Sequence, residues 1–252
     1  GGILSIQKSK QTSAFKPRYT QGTFWSLYGQ NLAAFKIVFS FAFIPAILSI
    51  FVLLFIKDKP FIVKRKNNFF TAYKNIGKEF KHYLATASIF SLAYFSFSFL
   101  LLKSYLIGFS IKNVVLLYAL FNLSFVIVSV PIGKIGDLIG RKTVIALGYI
   151  LYLVMSIGFL LANSKAEIVA LFVVFGIFYS IDEGQSKAYI TDLERSQRAT
   201  AIGIYNFLTG LIYLPTSLIA GYLWRIQPSY AFIFAALISF TALLFFLFKK
   251  VR

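Results

Sequence analysis

The sequence has 252 residues, of which 58% are hydrophobic, and its mean hydropathy is +0.77. Soluble domains average roughly 45–50% apolar residues, so this composition excludes an ordinary water-soluble fold. There is no cysteine, which excludes disulfides, thiolate metal sites and cysteine nucleophiles, and the single histidine, His82, leaves little for imidazole chemistry.

The chain is strongly basic, with 26 Lys and Arg against 8 Asp and Glu. In a soluble protein this balance would indicate nucleic acid as a partner. Here the charges cluster between apolar blocks, as expected when a bilayer orients a membrane protein. We therefore expect the lipid bilayer, and no nucleic acid, as a partner.

Residues 1–34 form a leading segment to which the sequence assigns no structure. The segment is polar and lacks the apolar stretch of a signal peptide. Position 1 is Gly, and the sole methionine is Met155. These features predict that the chain is processed or is a fragment of a longer protein.

Seven apolar blocks follow, each near the roughly 20 residues that cross a hydrocarbon core of about 30 Å. A backbone in lipid must satisfy its own hydrogen bonds, so continuous blocks of this length predict helices rather than the strands of a barrel. The expected fold is an all-α polytopic membrane protein with about seven transmembrane helices. The blocks are 35–56, 83–107, 113–133, 143–162, 167–190, 200–224 and 229–248.

Lys and Arg are distributed unequally between the connections, and this predicts the orientation. The connections on one side, including the basic linker 57–82 and the carboxyl-terminal tail, hold seventeen cations, whereas the other side holds four. Positive connections stay in the cytoplasm. We expect a protein of the plasma membrane whose carboxyl terminus is cytoplasmic, although the cations of the leading segment would then lie outside.

The connection after the third block has a distinctive pattern of glycines, one acid and two cations. Glycines permit a tight turn and close helix approach, while the acid can face a helix amino terminus. An ordinary positively charged turn is the plain alternative, but it does not require this spacing. The pattern comprises Gly133, Gly136, Asp137, Gly140, Arg141 and Lys142.

This loop resembles the signature loop of the major facilitator superfamily of secondary transporters. The resemblance implies that 35–56 is the last helix of a first half, 57–82 a cytoplasmic linker, and 83–252 a complete second six-helix half. It also implies a missing first half as a partner. Ala199 and Arg225 depart from the family pattern. Further similar stretches are 41–46, 55–60, 99–103, 117–122, 183–193, 198–206 and 214–224.

The same resemblance implies where the helices lie. It places the third and sixth helices of a half outermost, so 143–162 and 229–248 are expected to face lipid. The blocks 83–107 and 167–190 are expected to face the central cavity. The resemblance also implies that Asp137 latches one half to the other when the cytoplasmic side is closed.

Asp182 and Glu183 lie late in the fifth block, where acids are costly and indicate function. We expect a gating or proton-linked site that includes Lys187. The plain alternative is a pair of acids near the interface, with Glu183 bonded to Lys187 one helical turn later.

Four other residues are candidates for the cavity wall: Tyr94, Lys103, Asn122 and Asn206. Lys103 can instead extend its amine to the outer interface, and the two asparagines can instead bond neighbouring helices.

Nothing in the sequence indicates an enzyme or a cofactor, because it has no phosphate-binding Gly-Lys-Ser/Thr loop, zinc spacing or nucleophile–base set. The expected function is transport of a small solute by alternating access, with proton-coupled efflux as one form. The alternatives are a truncated inactive transporter, or a seven-helix receptor or channel subunit without transport activity.

The orientation can be tested with single cysteines, since the natural chain has none. Cysteines introduced at Lys66, Ser164 and Arg252 should react differently with an impermeant thiol reagent applied outside. Position 164 should be labelled in intact cells, and positions 66 and 252 only after permeabilisation. Labelling of position 66 in intact cells would overturn the orientation.

Overall fold

A computed structural model describes residues 36, 40–52, 54–55 and 73–248. The chain divides into two units, Gly1–Lys66 and Asn67–Arg252. In the first unit, helix α1 spans Ser40–Val52 within the predicted block 35–56, and nearly all of its side chains are exposed. The predicted leading segment and most of the predicted linker lie outside the described residues.

The described part of the second unit consists of helices joined by short connections, without a strand. The predicted all-α membrane fold is confirmed, and most block boundaries move by only a few residues. The helices are α2 (Lys78–Ser91), α3 (Ser98–Leu106), α4 (Ile111–Ile139), α5 (Arg141–Leu161), α6 (Lys165–Leu193), α7 (Arg198–Ile226) and α8 (Pro228–Phe248).

Helices α4, α5, α7 and α8 are long and apolar enough to cross a membrane. Helix α6 is as long as α4 and α7, 29 residues, but it carries Asp182 and Glu183. At 1.5 Å per residue these three helices are about 43 Å long, so they extend beyond a hydrocarbon core of about 30 Å. Polar groups at their ends therefore reach the headgroup region.

The first block of this unit, 83–107, is not one continuous helix. Helix α2 ends at Ser91 and α3 begins at Ser98, so the intervening carbonyls lose helical partners. Neighbouring helices supply replacements: the Tyr152 hydroxyl donates to the Ala93 carbonyl at 2.7 Å, and the Thr216 hydroxyl donates to the Ser91 carbonyl at 3.2 Å. A break at membrane depth is tolerated where protein groups satisfy the backbone.

Local signals set the beginnings of α4 and α6. The Ser110 hydroxyl accepts from the Asn113 amide at the start of α4. Ser164 and Glu167 form a reciprocal capping box at the start of α6. These bonds satisfy amide groups that have no partner within the first helical turn.

Aromatic side chains hold the helices together. Phe90 of α2 stacks on Tyr149 of α5 with ring centroids 4.3 Å apart, and Phe159 of α5 stacks on Phe232 of α8 at 5.7 Å. Helices α5 and α8 bury more of their apolar length inside the unit than α4 and α7. Whether the outer faces of α5 and α8 contact lipid stays a prediction.

Helices α4 and α6 approach each other closely at Gly176. A methyl group on Gly176 would lie 2.8 Å from the Phe121 carbonyl oxygen and 3.1 Å from the Phe125 amide nitrogen. Because both atoms belong to the backbone of α4, no side-chain movement could make room. The absence of a side chain at 176 therefore sets the separation of the two helices.

This contact predicts that Gly176→Ala destabilises the folded chain by about 1–3 kcal/mol, the usual cost of overpacking. Gly184→Ala is the matched control on the same helix, since a methyl group there meets nothing within 4 Å. Thermal unfolding in detergent should show a lower midpoint for Gly176→Ala and an unchanged or higher one for Gly184→Ala. Equal midpoints for the two variants would contradict the close approach.

Candidate functional site

The predicted signature loop is a one-residue turn between two helices. Helix α4 ends at Ile139, α5 begins at Arg141, and Gly140 between them has φ of +88°. L-residues with a side chain rarely adopt this conformation, so glycine permits the turn. The end of the bundle that contains this turn and the last residue of α6, Leu193, is called the basic end below.

Arg141 is held between two acids at the basic end. Its Nη2 lies 3.3 Å from Asp137 Oδ1, one helical turn earlier, and its Nε lies 2.9 Å from Asp192 Oδ2 on α6. No side chain caps the amino terminus of α5. Asp137 therefore acts on the side chain of Arg141 rather than on the amides that the sequence suggested.

One further contact ties the turn to the rest of the bundle. The Lys142 amine lies 5.7 Å from the ring centroid of Phe246 on α8. Through Asp192 and Phe246, the turn is connected to both α6 and α8. Asp192 was not among the predicted site residues. The sequence signal that could have identified it is its position as an acid near the end of a span, opposite a basic loop.

Gly136 makes room for a buried amide. Gln185 of α6 is only 5% exposed, and its Nε2 donates to the Ile132 carbonyl of α4 at 3.1 Å. A methyl group on Gly136 would overlap the Gln185 side-chain amide, whereas one on Gly133 would meet nothing within 4 Å. Of these two predicted loop glycines, Gly136 has a packing role that sequence spacing alone does not show.

An open cleft of about 360 Å³ lies beside this contact, between α4 and α6. Gly133, Asp137 and Arg141 line it from one side, and Glu183 and Gln185 from the other. The buried oxygen Gln185 Oε1 has no hydrogen-bond partner in the described part of the chain. The cleft brings members of the signature loop and of the acid pair to one place.

The two adjacent acids of α6 have different surroundings. Glu183 forms an ion pair with Lys187, and both side chains are partly exposed. This is the geometry of the plain alternative, so a gating role for Glu183 and Lys187 stays a prediction. Asp182 is half-buried and has no hydrogen bond or ion pair among the residues that the structure describes.

The predicted cavity residues are placed on different elements. Tyr94 lies in the break between α2 and α3, with its ring 5.4 Å from that of Tyr213. The Asn122 amide donates to the Tyr118 carbonyl of its own helix at 2.8 Å, Asn206 is exposed on α7, and Lys103 is half-buried on α3. Hydrogen bonds and ring contacts of the described residues do not join these four into one site.

The packing around Gly136 predicts that Gly136→Ala destabilises the chain by about 1–3 kcal/mol through displacement of Gln185. Gly133→Ala is the control with the same added methyl group. Removal of the obstacle in Gly136→Ala/Gln185→Ala should raise the unfolding midpoint above that of Gly136→Ala. A double variant no more stable than the single one would show that Gln185 is not the obstacle.

Comparison with known proteins identifies the family. Residues 84–252 match the model of the Major Facilitator Superfamily. The chain is also 34% identical, over 255 residues, to MJ1317 of Methanocaldococcus jannaschii, an uncharacterised transporter of the Major Facilitator type. That similarity covers 98% of this chain but 64% of the relative's length. The segment that matches the family model contains the turn at Gly140, the Arg141 ion pairs, part of α2 and all of α3 to α8. The chain belongs to the Major Facilitator Superfamily.

Proposed function

We propose that this chain takes part in secondary transport of a small solute across a membrane by alternating access. The family points to a transporter rather than an enzyme. The observation that carries the proposal is the set of ion pairs at the basic end, where Arg141 joins the α4–α5 turn to α6. Such a contact can be made in one conformation and broken in another.

The strength of these pairs suits a gate. The side chains of Asp137, Arg141 and Asp192 are 70%, 28% and 50% exposed. Ion pairs with this much solvent exposure each stabilise the conformation that contains them by roughly 0.2–1 kcal/mol. Contributions of this size bias a two-state equilibrium severalfold without locking it, since about 1.4 kcal/mol is a factor of ten.

Another six-helix half, the first half that the resemblance implies, is the proposed partner of this unit. Helix α7 exposes Leu211, Leu214, Leu218 and Tyr222, whose spacing of three and four residues places them along one face. Transporters of repeated halves bind their solute between the halves, near the middle of the bilayer. We propose that the other half covers part of the exposed face of α7 and that lipid covers the rest.

The proposed location is the plasma membrane, with the basic end and the carboxyl terminus in the cytoplasm. The excess of Lys and Arg on one side supports this orientation. Proton-coupled efflux is the proposed form of transport, because α6 carries acids inside a span.

A flux assay in proteoliposomes made with the 252-residue chain tests the proposal. The liposomes are loaded with a defined mixture of amino acids, sugars, nucleosides and organic cations, and release is measured by mass spectrometry with and without a proton gradient. Selective release of one class, faster than from empty liposomes, is expected. Release at the empty-liposome rate for every class would favour the alternative of an inactive transporter fragment.

A gate formed by the ion pairs of Arg141 with Asp137 and Asp192 predicts that Arg141→Gln slows flux of the released solute class several-fold. Both acids lose their partner in this variant. Asp137→Asn should slow flux less, since the bond between Arg141 and Asp192 remains. Lys134→Gln is the control, as it removes an exposed cation of α4 at the same end. Insertion and abundance are measured in parallel. Equal rates for Arg141→Gln and Lys134→Gln would reduce the ion pairs to a structural role.

A further inference from the structure

The feature that the ion pairs leave unexplained is Asp182. It lies on α6 within the membrane-spanning bundle, half-buried, and no cation pairs with it among the described residues. The nearby amine of Lys187 is bound to Glu183 instead. A carboxylate removed from water either takes up a proton or is balanced by a positive charge, and a ligand can supply that charge.

Four tyrosines from α2, α7 and the break between α2 and α3 pack beside this part of α6, either directly or through one another. They are Tyr83, Tyr94, Tyr205 and Tyr213, here called the tyrosine cluster. They meet in two levels. At one level the Tyr94 ring lies 5.9 Å from Phe178 of α6 and 5.4 Å from Tyr213. At the other level Tyr83 contacts Tyr189 of α6 at 5.0 Å and stacks over Tyr205 at 6.1 Å.

Asp182 lies between these two levels. It follows Phe178 by four residues and precedes Tyr189 by seven, so the three side chains share one face of α6. At 1.5 Å per residue, the two levels are about 6 Å and 10 Å from Asp182 along the helix axis.

The position is accessible from outside the unit. Tyr94, Tyr205 and Tyr213 are half-buried, as is Asp182, while Tyr83 is buried behind them. The faces of aromatic rings attract cations, most strongly where water is excluded. A carboxylate between tyrosine rings therefore favours a ligand that combines a positive charge with apolar surface.

We propose that Asp182 and the tyrosine cluster bind an organic cation that carries aromatic or aliphatic groups. The inference rests on the proposed transport function and names the solute class. Asp182 neutralises the ligand's charge, and the rings of Tyr94, Tyr205 and Tyr213 contact its apolar groups. A small inorganic cation would use the carboxylate and the hydroxyls but would gain little from the rings.

Equilibrium binding to the 252-residue chain in lipid nanodiscs tests this assignment. The probe is radiolabelled tetraphenylphosphonium, with empty nanodiscs subtracted. Saturable binding is expected, and tetraphenylborate, an anion of similar shape, should not displace the probe. Asp182→Asn should weaken binding at least tenfold and Asp182→Glu less. Glu79→Gln, which removes an exposed acid at the start of α2, should leave binding unchanged.

The ring contribution has its own pair of variants. Tyr213→Phe keeps the ring and should bind within about threefold of the natural chain, whereas Tyr213→Leu should bind at least fivefold more weakly. Thermal unfolding of each variant verifies that it is folded, and Asp182→Glu gives a readout if Asp182→Asn does not fold. Equal loss in Tyr213→Phe and Tyr213→Leu would overturn the role of the rings.

Three results would overturn the whole assignment: no saturable binding, equal binding by the natural chain and Asp182→Asn, or displacement by tetraphenylborate. A saturable sodium signal at Asp182 without probe binding would also overturn it. Each of these results leaves the transport function standing if the flux assay shows selective release of another solute class. Failure of the flux assay together with intact probe binding would instead contradict transport by this chain.

Discussion

The close contact between α4 and α6 determines the geometry of the basic end. Gly176 on α6 lies against the backbone of α4, and Gly136 on α4 leaves space for the Gln185 amide of α6. The two helices therefore pack closely at two points along their length. At each point a glycine on one helix leaves room for atoms of the other helix. This fixed separation lets Arg141 reach Asp192 and shapes the cleft beside them.

Adjacent acids on α6 have opposite electrostatic situations because successive side chains of a helix point about 100° apart. Glu183 lines the cleft and bonds to Lys187, so its charge is balanced within one turn. Asp182 shares the face of the aromatic residues Phe178 and Tyr189, which carry no charge to balance it. Helix α6 thus has an acid with a paired charge, Glu183, on the side of the cleft. It has an acid without a charged partner among the described residues, Asp182, on the side of the aromatic residues.

Long apolar blocks, charge asymmetry and the glycine-rich loop made the helices and the turn predictable from sequence, because these are local signals. The break between α2 and α3 was not predictable in this way. Residues 92–97 contain neither proline nor glycine, and the break is supported by Tyr152 and Thr216 from distant parts of the chain.

The candidate site was predictable only in part, for the same reason. Arg141 and Asp137 were found because both belong to the glycine-rich loop, but Asp192 joins them across about fifty residues of sequence. The glycine pattern indicated close approach without indicating its partner, Gln185. The tyrosine cluster combines residues of α2, the break and α7, so no local spacing could bring it together.

The lengths of α4 and α6 have a consequence for how the molecule responds to its solution. Their ends extend past the hydrocarbon core, so the Arg141 pairs sit where mobile ions reach them. The Debye length falls from about 8 Å at 0.15 M to about 3 Å at 1 M ionic strength. The aromatic contacts around Asp182 lie deeper, where salt penetrates little. Ionic strength therefore loosens one end of the bundle while leaving its interior unchanged.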